Sequence, residues 1–193
     1  MNEINFILFD IEYTAWEGSQ KRNWTYDNEY KEIICISALK LNNTNNKLEI
    51  IDKFNYYVKP KLNPILSNYI INLTGITQTI IDTEAYDFDI ALEDFYIFCE
   101  NYNIYSYGND YTEIKINLEL NDITKSSKYY IWESQFYDIK PIFNIYNIDT
   151  SMYTSGSVYK SVGLKPNNVK IHDAMWDTYS LFITLNFLFY NLK

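Results

Sequence analysis

The run Phe6-Ile7-Leu8-Phe9-Asp10-Ile11-Glu12-Tyr13 constrains this chain more than any other part of it. Branched and aromatic residues favour a strand, and the nearly unbroken apolar character suits one covered on both faces. Side chains two apart in a strand point the same way, so Asp10 and Glu12 aim together while Phe9 and Ile11 take the opposite side. Like charges this close cannot both stay ionised unless something positive sits between them. Taken singly, the pair reads first as a solvated strand face, since so short a motif is frequent by chance.

Two further β-rich runs follow, Ile33–Leu41 and Ile50–Val58, with Asn42-Asn43-Thr44-Asn45-Asn46 between them as a hairpin connection. Beyond Pro60 and Pro64 the period becomes helical: Leu66, Tyr69, Ile70 and Leu73 recur and stop at Gly75. Asp87–Tyr102 reads as a helix, Ile104–Tyr107 as a short strand ending at Gly108, and Tyr111–Leu120 as the next helix. A strand at Tyr129–Trp132, helical segments at Ile139–Tyr146 and Val158–Val162, and a long buried helix over Ala174–Tyr190 complete the order. The expectation is an α/β fold: a mixed sheet in which a three-strand antiparallel meander is extended by parallel strands, flanked by helices. No repeat or long linker interrupts it, so residues 1–193 read as a single domain.

Charge narrows the functions available. Sixteen Lys and Arg against 25 Asp and Glu give a net charge of −9, so a broad electrostatic grip on nucleic acid is not expected. A polyanion has to be held locally, or through cations bound by the chain's own carboxylates. Cys35 and Cys99 show neither a disulfide framework nor zinc-ligand spacing and fit a reducing, cytoplasmic setting. No stretch reaches the roughly 18 apolar residues of a membrane span, and no membrane partner is expected.

Three more acids and the lone histidine carry the remaining chemistry. Asp110 follows the turn Gly108-Asn109 and, alone, reads as a helix cap. In Ile171-His172-Asp173-Ala174-Met175-Trp176-Asp177, Asp173 also reads as a cap, whereas Asp177 lies one turn inside a helix of buried character and needs a partner charge or a metal.

Asp10-x-Glu12 on the first strand, Asp110 after a glycine, and His172 five residues before Asp177 form the ordered signature of the DEDDh 3′–5′ exonucleases, and the chain resembles that family, the DnaQ-like exonucleases of the ribonuclease H-like superfamily, from Phe9 to Leu185. Glu32-Ile33-Ile34 looks like the family's second strand, and Leu73-Thr74-Gly75-Ile76-Thr77 is similar to one of its recurrent loops. Tyr107-Gly108-Asn109-Asp110 leans toward the KapD-like and Eri1-like branch. One departure stands out: the family usually has Thr directly after the Glu of the first motif, and here Tyr13 intervenes before Thr14.

The resemblance implies an exonuclease acting on the 3′ end of single-stranded DNA or RNA with two divalent cations, Mg²⁺ or Mn²⁺, about 4 Å apart. Asp10 would bridge both ions, Glu12 and Asp177 would complete the first site, and Asp110 would serve the second. His172 would be the general base. Tyr13 and Trp16 would stack on the terminal base, with Lys21, Arg22, Lys160 and Lys165 near the mouth. Two other readings share the fold: a catalytically silent nucleic-acid-binding or scaffolding domain, and another ribonuclease H-like nuclease. Oligomeric state is not legible in the sequence.

Overall fold

The structure is a computed structural model that describes residues 4–44, 47–123 and 128–191. Among these residues five strands form one sheet: β1 (Ile4–Tyr13), β2 (Ile33–Thr44), β3 (Lys47–Tyr57), β4 (Asn103–Ser106) and β5 (Phe136–Asp138), in the order β3-β2-β1-β4-β5. β1 pairs antiparallel with β2 and parallel with β4; β2–β3 is antiparallel and β4–β5 parallel. This is the mixed sheet expected from the sequence. Among the described residues, seven α-helices accompany it: α1 (Asn68–Thr74), α2 (Gln78–Glu84), α3 (Phe88–Cys99), α4 (Tyr111–Leu120), α5 (Lys128–Ile131), α6 (Lys140–Ile145) and α7 (Ala174–Asn191). A 3-10 helix at Ser155–Val162 precedes α7. No described helix is long and apolar enough to cross a membrane.

The alternation of β1 assigns its two faces. Ile7, Phe9 and Ile11 pack with Leu92, Phe95 and Cys99 of α3 and Ile114 and Leu118 of α4. Phe6 and Leu8 turn the other way, against Leu181, Phe182 and Leu185 of α7. Asp10 and Glu12 continue this second row, so the strand that anchors the core also points its carboxylates at the start of α7. Two of the buried hydroxyls of α7 are satisfied within the helix, since Thr178 and Thr184 donate to the carbonyls of Ala174 and Ser180 one turn back.

Three expectations about local structure are corrected. The segment Tyr129–Trp132 is not a strand: α5 and a 3-10 turn at Trp132–Gln135 occupy it, and the strand lies at Phe136–Asp138. Its aromatics favour a strand by propensity, but a helical turn brings Tyr129 and Trp132 onto one side, and both rings meet Tyr96 of α3 edge-on. A helix absent from the sequence reading, α2, starts where the Thr77 hydroxyl accepts the amide of Ile80. The Asn-rich run is not all turn, because β2 continues through Asn42 and Asn43 to Thr44, which pairs with Lys47; Asn45 and Asn46 lie outside the described residues.

Candidate active site

One cavity of about 380 Å³ opens where β1 and β4 end and α7 begins, and Asp10, Glu12, Tyr13, Asp110, His172 and Asp177 all line it. β1 supplies Asp10 and Glu12, both buried, at the centre of the sheet. Its register shifts between Glu12 and Tyr13, a bulge that ends the regular strand at the cavity. Parallel pairing sets β4 beside β1, so the turn through Gly108 carries Asp110 in from the next helix. Asp110 heads α4 but makes no side-chain cap hydrogen bond, so its carboxylate does not do the capping work that the sequence suggested. Asp173 does cap α7, accepting the amide of Trp176 at 3.0 Å.

Asp177 is held from three directions. The Ser155 hydroxyl donates to its Oδ2 at 3.0 Å, and the His172 amide lies 3.3 Å from Oδ1. The backbone of Gly156 presses against the same carboxylate, while the Trp176 indole donates to the Gly156 carbonyl at 3.0 Å. His172 has φ +69°, unusual for a residue with a side chain, and this left-handed turn aims its amide back at Asp177. Ligand atoms of Glu12, His172 and Asp177 all lie within 4.8 Å of one another.

The electrostatics are those of a site built around positive charge. Burial first, then the charges of Asp177, Asp110 and Glu12, raise the Asp10 carboxyl well above its ordinary range, against a pull from the Ser155 hydroxyl. Glu12 is pushed up to about 9 by burial and by Asp177, Asp173 and Asp110. Asp110 rises to about 7, chiefly through burial and Glu113, with Lys31 and Lys140 drawing it back. Asp177 also rises to about 7 on burial, although its hydrogen bonds from Ser155 and His172 oppose this. Partial burial lowers His172. Four carboxyl groups that resist ionising together, beside a neutral imidazole, suit an oxygen-rich divalent-cation site.

The walls differ from the expectation in three places. Trp16 is not at this cavity; it lines a separate hollow with Tyr26, Asn63 and Ile65, because the chain turns after Ala15. Trp24 takes a place at the acidic cavity instead, its ring 5.5 Å from that of Tyr13 and edge-on to it. Thr14, which follows Tyr13, is buried and spent on the backbone, donating to the Tyr30 carbonyl and accepting the Glu32 amide. Of the expected cations, Arg22 is committed to Glu29, and Lys21, Lys160 and Lys165 do not line the cavity; Lys140 does. Lys140 opens α6 two residues after β5 ends, and the sequence pattern does not reveal that β5 precedes it there.

Comparison with known proteins gives a consistent picture. The sequence model of the RNase T family, described as an exonuclease, matches residues 7–182. The 3′–5′ exonuclease eri1 of Schizosaccharomyces pombe is 34% identical over 97 residues, 50% of this chain and 30% of that protein. The human 3′–5′ exoribonuclease 1 is 39% identical over 75 residues, 39% of this chain and 19% of that protein. The matched regions thus span under a third of these relatives' length. Among solved structures, the nuclease domain of 3′hExo, a DEDDh family member bound to rAMP, superposes with a TM-score of 0.78 at 24% identity, covering 97% of this chain and 92% of that one. Escherichia coli exonuclease I in complex with a dT13 oligonucleotide gives 0.64 at 14% identity, over 96% of this chain and 41% of that one. At these identities the superpositions speak for the fold.

Proposed function

The chain belongs to the RNase T family of exonucleases, and from that premise we propose that residues 1–193 act as one domain of the Eri1-like DEDDh type that removes nucleotides from the 3′ end of single-stranded DNA or RNA. The products are nucleoside 5′-monophosphates. The observation that carries this reading is the convergence on one cavity of Asp10, Glu12, Asp110, His172 and Asp177, contributed by three separate parts of the chain. The rAMP on the 3′hExo nuclease domain and the oligonucleotide on exonuclease I support a 3′-terminal nucleotide as the occupant. Two buried, free cysteines suit a reducing compartment, for which we take the cytoplasm.

Carboxylate oxygens at this density fit Mg²⁺ or Mn²⁺. Asp10, Glu12 and Asp177 would hold one ion, and Asp10 with Asp110 the other. When bound, such ions supply an acidified water and neutralise charge on the scissile phosphate. The chain's own groups do the rest. His172, neutral near pH 7, accepts the proton of the attacking water. Its backbone hydrogen bond to Asp177 ties the base to the ligand cluster, so that the two keep one geometry. Tyr13 and Trp24 offer aromatic surface to the terminal base.

The test is degradation of 5′-labelled RNA and DNA single strands with Mg²⁺ or Mn²⁺. The expected result is a ladder shortening from the 3′ end, stalled by a 3′-phosphate block and abolished in Asp10→Ala. Internal cleavage of the blocked strand would assign a different nuclease. Binding without cleavage under any divalent ion would assign a silent binding domain.

A further inference from the structure

The cavity has two unlike walls, on opposite sides of β1. On the β2 side, Trp24, Ile70 and Leu73 join the apolar cluster around Ile34 and Cys35, and with Tyr69 they present hydrophobic surface. On the β4–β5 side stand Tyr107, Lys140, Tyr153 and Thr154. Among the described residues, Lys140 is the one Lys or Arg that lines the cavity, in a chain with a net charge of −9.

Its position is built rather than incidental. The Asp138 carboxylate accepts the backbone amides of both Gly108 (3.0 Å) and Lys140 (2.9 Å), clamping the end of β4 to the start of α6. The Lys140 ammonium then lies over the bare backbone of Gly108, 3.5 Å from where a Cβ would be, and 4.8 Å from the Tyr107 ring centre. Tyr107 is fixed in turn, its hydroxyl donating toward the carbonyls of Thr150 and Tyr153. Lys140 makes no ion pair among the described residues, whereas Lys31, the other cation that acts on Asp110, is paired with Glu113 at 2.6 Å. A half-buried ammonium, oriented by its neighbours and held in no ion pair although its charge reaches Asp110, is a site for an anion.

We propose that Lys140 binds a backbone phosphate of the substrate strand, the one next to the scissile phosphate on its 5′ side. This rests on the exonuclease reading. With the terminal base against the apolar wall and the scissile phosphate over the acids, the strand leaves past the β4–β5 wall, where its next phosphate meets the ammonium. The acidic chain thereby admits a polyanion through one placed cation.

The test compares Lys140→Gln and Lys140→Arg with the unaltered chain. The substrates are a fluorescein-labelled uridine dodecamer, its thymidine counterpart, and the p-nitrophenyl ester of thymidine 5′-phosphate, which has no second phosphate. For the dodecamer that the unaltered chain degrades, Lys140→Gln is expected to raise KM about tenfold. The slope of log(kcat/KM) against log salt should become shallower by about 0.7, one single-strand phosphate contact. Lys140→Arg should restore both, and turnover of the small ester should not change. A loss confined to kcat with the salt slope intact, or an equal loss on the ester, would overturn the assignment. Dodecamer binding in Ca²⁺, followed by anisotropy across a salt series, decides the same slope without turnover. An inert unaltered chain would therefore defeat the exonuclease reading, and an unchanged binding slope would defeat this one.

Discussion

Gly156 and Asp177 share a boundary that leaves no room for a side chain: a Cβ on Gly156 would overlap Oδ1 and come within 2.8 Å of Cγ and 3.0 Å of Oδ2. The φ of Gly156 is not in the left-handed region, so backbone freedom is not the reason for glycine here. The reason is close approach. Gly156→Ala is expected to push the carboxylate off its position and lower kcat/KM about 10²-fold, as a displacement near 1 Å does in a positioned site. Metal titration by calorimetry should show weakened binding while circular dichroism stays native. Unchanged kinetics would mean that the carboxylate relaxes elsewhere without consequence.

Ion-free stability should fall as pH rises. Folded Asp110 and Asp177 keep their protons to about pH 7 and Glu12 to about 9, against ordinary values of 3.8, 3.8 and 4.5. Between those limits the unfolded chain has released protons that the folded chain still holds, so each such carboxyl costs about 1.4 kcal/mol per pH unit until its folded pKa is passed. A divalent ion favours the ionised carboxylates, so the Tm increase caused by Mn²⁺ should grow from pH 5 to pH 8. Thermal melts in EDTA and in Mn²⁺ at several pH values measure this, and a constant or shrinking increase would contradict it.

His172 is half-buried, which lowers its pKa below 6.5 and leaves it unprotonated at neutral pH. The acid limb of the kcat profile is expected to end below pH 6.5. His172→Ala should lose about 10²- to 10⁴-fold in kcat and flatten that limb, with Mn²⁺ affinity largely kept. An identical limb in the variant would take His172 out of the proton-transfer role.

The two tryptophans near the first strand should behave differently. Trp24→Ala removes an aromatic wall of the cavity and should raise KM at least about 5-fold, since base stacking contributes about 1–3 kcal/mol. Trp16 lines a different hollow, and Trp16→Ala should leave KM within about twofold. Steady-state kinetics on one oligonucleotide compare both, and equal effects would show that the assignment of walls is wrong.

Much of this protein was legible in its sequence because the signals are local. The period-two alternation of Phe6–Tyr13 determined that Asp10 and Glu12 share a face, whatever the rest of the chain did. The apolar spacing of Phe88, Leu92, Phe95 and Cys99 fixed one face of a helix, and every one of them is buried. The order of carboxylates and the histidine identified the family. Propensity failed at Tyr129–Trp132, where ring contacts with Tyr96 outweighed the β preference of four large residues.

The tertiary structure alone decided which groups meet. Trp24 rather than Trp16 faces the acids, because a turn after Ala15 folds eight residues of chain back on themselves, and local pattern does not encode where such a turn returns. The fit of Gly156 against Asp177 joins residues from a 3-10 helix and α7, and Lys140 reaches Gly108 only because parallel pairing sets the ends of β4 and β5 side by side. Such contacts depend on chain closure over long separations, so periodicity determines the elements and faces, while packing determines the site.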